Sequence, residues 1–337
     1  MKLNAVVGIV IAVVIIAGIG GVLLLKTSAG PGTTGPQENQ PPENQPGGGT
    51  LTSDFAPPTG KTTGPGEHGP WNLRLMSATS TNGLTFTRTN QVSIDQGDVS
   101  DLVQDNRGWI YLYYSGWTVG TEQNKTVVAI STDGGYTWIY KKLILAGFDG
   151  MSEPVDPDIQ LLSDGTFRLY ITSDPNDGQG ARTYYAEGVD GINFTKKGVA
   201  FSRPGQPVID PSTLLIGSTW HLFAGGGPPN QSWHATSSDG KTFTFDELKT
   251  FTSDGITLGV LTNGIPVPGG YRFYAPAPQD NSIRSIFTTD GITWTPDSGS
   301  RLTLDVTTGK ESWSVKEPAV VRLSNGTYLM VYSTAIP

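Results

Sequence analysis

Apolar and polar side chains alternate along most of the chain between Trp71 and Pro337, in short runs rich in aromatic and β-branched residues. A period of two is typical of half-buried β-strands, and no segment here has a helical period long enough to predict a helix. Gly and Pro interrupt the runs, with 44 Gly and 24 Pro among 337 residues. Such frequent breaks are expected where many short strands are joined by turns. The pattern predicts an all-β domain over residues 71–337.

A turn motif of the form Ser/Thr-x-Asp-Gly-x-Thr-aromatic occurs five times in this domain, with small variations. Its Asp or Asn stands at positions 82, 133, 190, 239 and 290, at intervals of 51, 57, 49 and 51 residues. The carboxylate or amide can accept hydrogen bonds from the turn backbone, the Gly permits a positive φ, and the aromatic ring can pack into the core beneath. Regular spacing of this kind indicates a repeat architecture.

A second element repeats between the turn motifs and consists of an apolar strand, a Gly turn and an aromatic-rich strand. Its copies are Val99 to Tyr114, Val155 to Ile171, Ile209 to Phe223, Val260 to Tyr274 and Lys316 to Tyr332. Together the two elements predict a four-stranded antiparallel meander of about 50 residues per unit. Five such sheets around an axis form a five-bladed β-propeller.

The order of the two elements predicts how the ring closes. The domain begins with a turn motif and ends with an inner-strand pair, so its first and last segments are complementary halves of one unit. We expect the outer strands of 71–90 to pair with the inner strands of 316–332. Such a composite blade leaves no open sheet edge.

The segment before the domain has a different character. Ala5 to Leu25 is an apolar stretch of 21 residues, and at about 1.5 Å per residue it spans roughly 30 Å, one bilayer core. We predict a transmembrane anchor within residues 1–26, with a long signal sequence as the alternative, and a propeller on the extracytoplasmic side of the membrane. Residues 27–70 contain ten Gly and nine Pro, which predicts a disordered linker.

Charge and composition exclude several functions. With 22 Lys and Arg against 30 Asp and Glu, the formal net charge is −8, which disfavours nucleic acid as a partner. The absence of Cys excludes disulfides, zinc–thiolate sites and thiol catalysis.

Carboxylates stand at equivalent positions near the starts of the predicted inner strands, where the blades converge on the axis. They are Asp101, Asp156, Asp158, Asp210 and Glu317. Like charges packed into one shallow pocket raise each other's pKa, and they suit either general acid–base chemistry or a bound hard cation such as Ca²⁺. A purely structural reading is also open, because an Asp-Pro or Glu-Pro step is tolerated where a strand begins. No other cofactor is predicted.

The motifs Val155-Asp156-Pro157, Ile209-Asp210-Pro211 and Lys316-Glu317-Pro318 resemble those of the five-bladed propeller glycosidases of the arabinanase, β-xylosidase, levansucrase and invertase group, glycoside hydrolase families 43 and 32. The turn motifs resemble the Asp boxes of sialidases. The first resemblance implies hydrolysis of a glycosidic bond by a base Asp, a tuning Asp and an acid Glu.

On that resemblance we assign the acid to Glu317, the base to Asp156 and the tuning carboxylate to Asp210, with Asp101 in reserve. One departure stands out, because the fourth unit offers only Thr262 and Asn263 where the family's tuning Asp belongs.

Two further groups are candidates for binding a carbohydrate substrate. Arg74, Arg182 and Arg284 fall at the starts of third strands, where sialidase-like chemistry would need three arginines; alternatively they form ion pairs with the axial carboxylates. Trp117, Trp233 and Trp313 lie in or beside loops of the predicted functional face and can stack on sugar rings. Three functions therefore stay open: a glycosidase, a sialidase-like exoglycosidase, and a non-catalytic propeller that binds glycans or proteins.

Overall fold

The computed structural model describes residues 51–66 and 69–337, and this part of the chain is built almost entirely of strands. Its helical structure is limited to two 3₁₀ turns, Pro70–Asn72 and Val306–Thr308. None of the helices in these residues is long and apolar enough to cross a membrane. The predicted anchor, Ala5 to Leu25, and residues 27–50 of the predicted linker lie outside the described residues.

The strands run in chain order as follows: β1 Leu73–Ser80, β2 Thr87–Asp95, β3 Gly97–Gln104, β4 Ile110–Val119, β5 Glu122–Ser131, β6 Ile139–Lys142, β7 Ile144–Ala146, β8 Val155–Leu161, β9 Phe167–Ser173, β10 Arg182–Gly188, β11 Asn193–Phe201, β12 Ile209–Ile216, β13 Thr219–Gly225, β14 Ser232–Ser237, β15 Thr244–Lys249, β16 Thr252–Ser253, β17 Ile256–Thr257, β18 Asn263–Val267, β19 Gly270–Ala277, β20 Ser282–Thr288, β21 Trp294–Pro296, β22 Leu302–Thr303, β23 Ser312–Arg322 and β24 Tyr328–Ala335.

Five antiparallel sheets form the blades of a propeller, each with its first strand innermost. Blade 1 is β3-β4-β5-β6, and blade 2 is β8-β9-β10-β11 with β7 added in parallel to β11. Blade 3 is β12-β13-β14-β15, and blade 4 is β18-β19-β20, with β21 and β22 both paired to β20. The inner strands β3, β8, β12, β18 and β23 contact one another in sequence around the axis. The predicted five-bladed propeller is therefore confirmed.

Blade 5 joins the two ends of the domain in the sheet order β23-β24-β1-β2. Strand β1 pairs with β24 over its full length, from Leu73 opposite Ala335 to Ser80 opposite Tyr328. This pairing confirms the composite blade expected from the order of the repeats. It leaves β24 in the interior of a sheet, where all of its side chains are buried.

The five turn motifs connect the third and fourth strands of the blades, and their Asp or Asn side chains hold the turn as expected. Asp290 Oδ1, for example, accepts hydrogen bonds from the backbone N–H groups of Ile292 and Thr293, each at 2.8 Å. The same pattern recurs at Asn82, Asp133, Asp190 and Asp239.

Each of three turn motifs also docks on the preceding blade, which the sequence did not reveal. Tyr113 Oη in β4 donates to Gly191 O at 2.7 Å, Tyr170 Oη in β9 donates to Gly240 O at 2.5 Å, and Tyr274 Oη in β19 donates to Gly83 O at 2.9 Å. The three tyrosines are fully buried between neighbouring blades. A tyrosine with a satisfied hydroxyl thus joins blade 1 to blade 2, blade 2 to blade 3 and blade 4 to blade 5.

Residues 51–66 pack against the propeller, although composition places them in the linker. Phe55 is buried in the apolar cluster shared by blades 5 and 1, and its ring lies 5.9 Å from that of Tyr140. On blade 5, Gly60 N donates to Asp95 Oδ2 at 2.6 Å. The predicted domain boundary at residue 71 is therefore wrong. A buried aromatic ring, backbone hydrogen bonds and the ion pair of Asp54 with Lys141 hold a segment whose Gly and Pro content predicts disorder.

Candidate active site

Four of the five inner strands carry a β-bulge, close to the first residue in β3, β8 and β12 and in the middle of the longer strand β23. The bulged residues are Val99, Asp156, Asp210 and Glu317, with φ angles of 38°, 55°, 51° and 46°. Positive φ is costly for residues other than Gly, and bulges of this kind redirect side chains. In blade 2 the bulge is supported by Ser115, whose Oγ accepts a hydrogen bond from Asp156 N at 3.1 Å. The repeated bulge brings the carboxyl groups of three blades to one mouth of the axis.

Asp156, Asp210 and Glu317 lie close enough at this mouth to shift one another's pKa values. Two further residues, Asp98 and Lys316, complete the group, and Lys316 Nζ lies 2.7 Å from Asp98 Oδ2 and 4.0 Å from Glu317 Oε1. We call these five residues the axial cluster. It holds four carboxyl groups and a single lysine.

Asp98 and Lys316 were missed by the sequence analysis. Each stands immediately before the bulged residue of its strand, Asp98 before Val99 and Lys316 before Glu317. The first repeat copy begins at Val99, so Asp98 lies just outside it. The two residues become recognisable when Gly97-Asp98-Val99-Ser100-Asp101 is aligned with the later copies. Acidic Asp98 and basic Lys316 then occupy the same repeat position.

Burial raises the pKa of Glu317 to about 8, the Lys316 ammonium opposes this rise, and the charges of Asp210 and Asp98 add to it. At pH 7 the Glu317 carboxyl is therefore mostly protonated. Its side chain is 17 % exposed, and its Oε2 makes no hydrogen bond within the described part of the chain. Oε2 is itself buried, so it is the partly exposed side of this protonated carboxyl that can donate a proton to a bound molecule.

Burial also raises the pKa of Asp156, to about 6; hydrogen bonds, one of them from the backbone of Asp210, oppose the rise, whereas the charges of Glu317 and Asp98 add to it. Burial, followed by the charge of Asp156, raises the pKa of Asp210 well above its ordinary value, and Lys316 opposes that rise. At neutral pH the cluster therefore contains an ionised Asp156 beside a protonated Glu317. Two acidic groups with separated pKa values are the arrangement that general acid–base catalysis needs.

Asp101 lies deeper along the axis, in a belt of hydrogen bonds that joins the inner strands. Its Oδ2 accepts from Ile159 N and its Oδ1 from Asn263 Nδ2, both at 2.8 Å. Asp158 in turn accepts hydrogen bonds from the N–H and hydroxyl groups of Thr213. Both oxygens of Asp101 are thus used within the protein, and its position is that of a structural residue rather than of the reserve catalytic group predicted.

The fourth blade contributes no carboxylate to the axial cluster. Asn263 belongs to the belt, where its Oδ1 accepts a hydrogen bond from Val320 N at 3.0 Å. Leu261, two residues before it, occupies the repeat position of Asp156, Asp210 and Glu317 and is buried in the apolar core. The departure noted in the sequence is therefore real in the structure.

The axial carboxylates are also not among the groups of described residues in which three ligand atoms lie within 4.8 Å of one another. An axial calcium ion gains no support from this arrangement.

The three arginines predicted to bind substrate are each paired with a carboxylate outside the axial cluster. Arg74 Nε lies 2.7 Å from Asp95 Oδ1, and Arg182 pairs with Asp177. Arg284 contacts Asp254 and Asp280 at 2.7 and 2.8 Å. The alternative prediction is that these arginines form ion pairs with the axial carboxylates. The arginines do form ion pairs, but their partners are carboxylates of loops and of an outer strand.

The three tryptophans predicted to stack on sugar lie in different environments. Trp233 is 2 % exposed and belongs to the apolar core, so its ring is not available to a ligand, and this prediction is wrong. Trp117 is half-buried and packs edge-to-face on Trp71, with ring centroids 5.0 Å apart. Trp313 is 51 % exposed, and it stands on inner strand β23 four residues before Glu317, with a φ of 64°.

Comparison with known proteins gives a likeness of fold. No family model and no curated protein matches the sequence. Among solved structures, a thermostable family-43 glycoside hydrolase is similar over 71 % of this chain and 88 % of its own, with a TM-score of 0.54 and 14 % identity. A GH43_1 enzyme from Xanthomonas citri is similar over 71 % of this chain and 87 % of its own, with a TM-score of 0.51 and 12 % identity. This chain therefore shares the five-bladed propeller of glycoside hydrolases.

Proposed function

We propose that the protein hydrolyses a glycosidic bond at the axial cluster, with Glu317 as general acid, Asp156 as general base and Asp210 as the carboxyl group that tunes them. The observation that carries the proposal is the convergence of three carboxyl groups from three blades, with pKa values of about 6 for Asp156 and about 8 for Glu317. The likeness of fold to glycoside hydrolases supports it by analogy.

The proposed reaction follows from these protonation states. Glu317 donates its proton to the glycosidic oxygen as the bond to the anomeric carbon breaks, and positive charge develops on the sugar ring. The ionised Asp156 accepts a proton from the water that attacks the anomeric carbon. Lys316 balances part of the negative charge of the cluster through Asp98. We further propose that Trp313, exposed on the same inner strand as Glu317, stacks on a sugar ring of the substrate.

The direct test is hydrolysis of a panel of aryl glycosides and oligosaccharides by the purified full-length chain. Glu317→Gln and Asp156→Asn are each expected to lower kcat/KM by about 10²–10⁴-fold. Glu153→Gln is the matched control, because Glu153 is a partly exposed carboxylate paired with Lys125 outside the axial cluster, and it should leave activity unchanged.

A second comparison isolates the role of Glu317. Leaving groups that depart as stable phenolates need little protonation, so Glu317→Gln should be impaired far less on a dinitrophenyl glycoside than on an alkyl glycoside. Equal loss on both substrates, or activity that survives both Glu317→Gln and Asp156→Asn, would contradict the assignment.

A non-catalytic propeller that binds glycans is the second candidate, and Leu261 is the observation that favours it. Leu261 fills the repeat position of a carboxylate in blade 4, and Val99 fills it in blade 1. Glycan binding by the wild-type chain without turnover of any panel member would favour this candidate. Sialidase-like chemistry is less well supported, because Arg74, Arg182 and Arg284 are already paired with carboxylates.

We also propose that Ala5 to Leu25 anchors the chain in a membrane and that the propeller lies on the extracytoplasmic side. The proposal rests on 21 successive residues without a charge, which is the length that a bilayer core requires. Membrane fractions washed with alkaline carbonate should retain the full chain, and protease added to intact cells should release the propeller. Release of the whole chain by carbonate would contradict the anchor.

A further inference from the structure

A β-bulge in the outer half of blade 3 places two acidic residues opposite one histidine. His234 in β14 is paired with Glu247 in β15, whereas the next residue, Ala235, is paired with Phe245. Asp246 is therefore the additional residue of the bulge. Bulges redirect side chains, and here ligand atoms of His234, Asp246 and Glu247 all lie within 4.8 Å of one another. The site is on the outer strands of the blade and does not belong to the axial cluster.

The imidazole of His234 is buried, and the residue is only 2 % exposed. Its ring stacks on Phe223, with centroids 4.7 Å apart, and its Nε2 lies 3.0 Å from Nδ1 of His221. Its other nitrogen, Nδ1, is buried and makes no hydrogen bond in the described part of the chain. In the tautomer in which Nε2–H donates to Nδ1 of His221, Nδ1 of His234 carries a lone pair that can bind a cation.

Both carboxylates lie near that nitrogen. Asp246 Oδ2 lies 3.1 Å from His234 Nδ1. Two ligands bound to one ion at about 2.0–2.1 Å in tetrahedral geometry are separated by about 3.3–3.4 Å, close to this distance. In the tautomer whose Nε2 carries the proton, the lone pair of Nδ1 and the negative charge of Asp246, 3.1 Å apart, repel one another, and a bound cation removes this repulsion.

We propose that His234, Asp246 and Glu247 bind a divalent transition-metal ion of the zinc class at the outer edge of blade 3. One imidazole nitrogen and two carboxylate oxygens suit Zn²⁺ and its neighbours, whereas Ca²⁺ and Mg²⁺ prefer sites made only of oxygen. Water fills the fourth position. His221 acts on the metal through its hydrogen bond to His234, as partners of metal-bound histidines commonly do.

Two features of the surroundings fit this proposal. The side chains of Asp246 and Glu247 are 52 % and 49 % exposed, so an ion reaches the site from solvent. Lys249 Nζ lies 2.6 Å from Glu247 Oε1; because a carboxylate has two oxygens, Glu247 can keep this lysine on one and bind the ion with the other. A bound ion then joins the edge strand β15 to β14 at the point where the bulge interrupts their pairing.

The test uses the full-length chain, stripped of metal with a chelator and titrated with Zn²⁺ alone by calorimetry. We expect the wild type to bind one Zn²⁺ per chain. Asp246→Asn should abolish this binding or weaken it at least about tenfold, and His221→Phe should weaken it by about 10–100-fold. Asp246 is exposed, so its substitution does not threaten folding. X-ray absorption of the zinc-loaded chain should show one imidazole among oxygen ligands.

Glu122→Gln is the matched control, since Glu122 is an exposed glutamate paired with Lys142 in blade 1, and it should bind Zn²⁺ as the wild type does. A second comparison, Asp156→Asn, separates this site from the axial cluster and should also leave the affinity unchanged. The proposal is overturned if the wild type binds no stoichiometric Zn²⁺, if Asp246→Asn binds it unchanged, or if the absorption spectrum shows oxygen ligands without imidazole.

Discussion

The protonation of Glu317 depends on its burial and on the charges of the axial cluster. Burial raises its pKa most, Lys316, 4.0 Å away, opposes this rise, and Asp210 and Asp98 add to it. The residue that donates the proton is therefore controlled by neighbours on its own and other blades. Two predictions at the scale of single residues follow from this balance, one for activity and one for stability.

The first concerns the pH dependence of hydrolysis. Activity needs Asp156 ionised and Glu317 protonated, so kcat/KM should be bell-shaped, rising through a pKa of about 6 and falling through a pKa of about 8. Lys316→Gln removes the charge that lowers the pKa of Glu317, and the alkaline limb should then move to higher pH. A pH–rate profile on one aryl glycoside measures both. An alkaline limb that moves to lower pH would contradict this prediction.

The second concerns stability. Because burial raises the pKa of Glu317 above its ordinary value of 4.5, the folded state binds its proton more tightly than the unfolded state does. Its contribution to stability is complete below about pH 4 and is lost as the pH rises through about 8. Glu317→Gln should therefore raise the free energy of unfolding at pH 9 by on the order of 2 kcal/mol.

At pH 4 the same substitution should be close to neutral, because both states then carry a protonated glutamate. Denaturant unfolding at the two pH values measures the difference, and Glu122→Gln, which changes an exposed glutamate, controls for the loss of a negative charge. Destabilisation at pH 9 would show that the cluster is not under electrostatic strain.

Elements join one another in this propeller through the turn motifs, which fix a turn and also contact the neighbouring blade. Gly191 has a φ of 74°, and a Cβ at this position would lie 2.8 Å from the ring of Tyr111. Gly165, in a hairpin turn of the same blade, has a similar φ of 86° with nothing within 4 Å of its Cβ position. Substitutions at these two glycines therefore distinguish the effect of backbone strain on stability from the effect of close contact between blades.

Gly191→Ala should lower the free energy of unfolding more than Gly165→Ala does, by about 1–3 kcal/mol, which is a typical cost of inserting a methyl group into a well-packed core. The positive φ destabilises both variants, so the difference between their free energies of unfolding measures the contact with Tyr111. Denaturant unfolding with a common slope gives the comparison. Equal losses would mean that the turn motif does not need its close approach to blade 1.

The elements were largely predictable from the sequence, and the reasons differ between fold and site. Alternation and the spacing of the turn motifs are local signals, repeated five times, so errors in one copy are corrected by the others. Asp156, Asp210 and Glu317 were found because each precedes a proline at the same repeat position. Asp101 was misplaced because a carboxylate on the axis can face solvent or a neighbouring strand, and only the contacts to Ile159 and Asn263 decide between them.

Burial of single side chains was less predictable. Trp233 stands beside a loop in the sequence, yet it is buried in the apolar cluster between blades 2 and 3, and Phe55 stands among Gly and Pro, yet it enters the core. Neither residue belongs to a pattern of alternating apolar and polar positions from which its burial could be predicted. The proximity of His234 to Asp246 and Glu247 depends on a bulge in β15. A bulge shifts the alternation of inward and outward side chains by one residue, and the alternation in the sequence does not show where such a shift occurs.

At the scale of the whole molecule, closure of the ring depends on β24. Removal of residues 328–337 leaves β1 and β23 without the strand between them, so we expect this truncated chain to lose its cooperative thermal transition. Removal of residues 1–49, which precede the compact unit that begins at Thr50, should retain the transition. Differential scanning calorimetry distinguishes the two, and a cooperative transition without β24 would contradict the role of the composite blade.

The composite blade also imposes an order in time on biosynthesis. A ribosome that emits this chain releases β1 and β2 first, and their hydrogen-bonding partner β24 follows every other strand of the domain. During translation the two early strands expose an unsatisfied backbone edge, which invites aggregation until the final segment arrives. A chaperone or an export apparatus that keeps the nascent polypeptide extended would prevent aggregation until β24 is synthesised. The topology alone would then lead the domain to fold in one step after release.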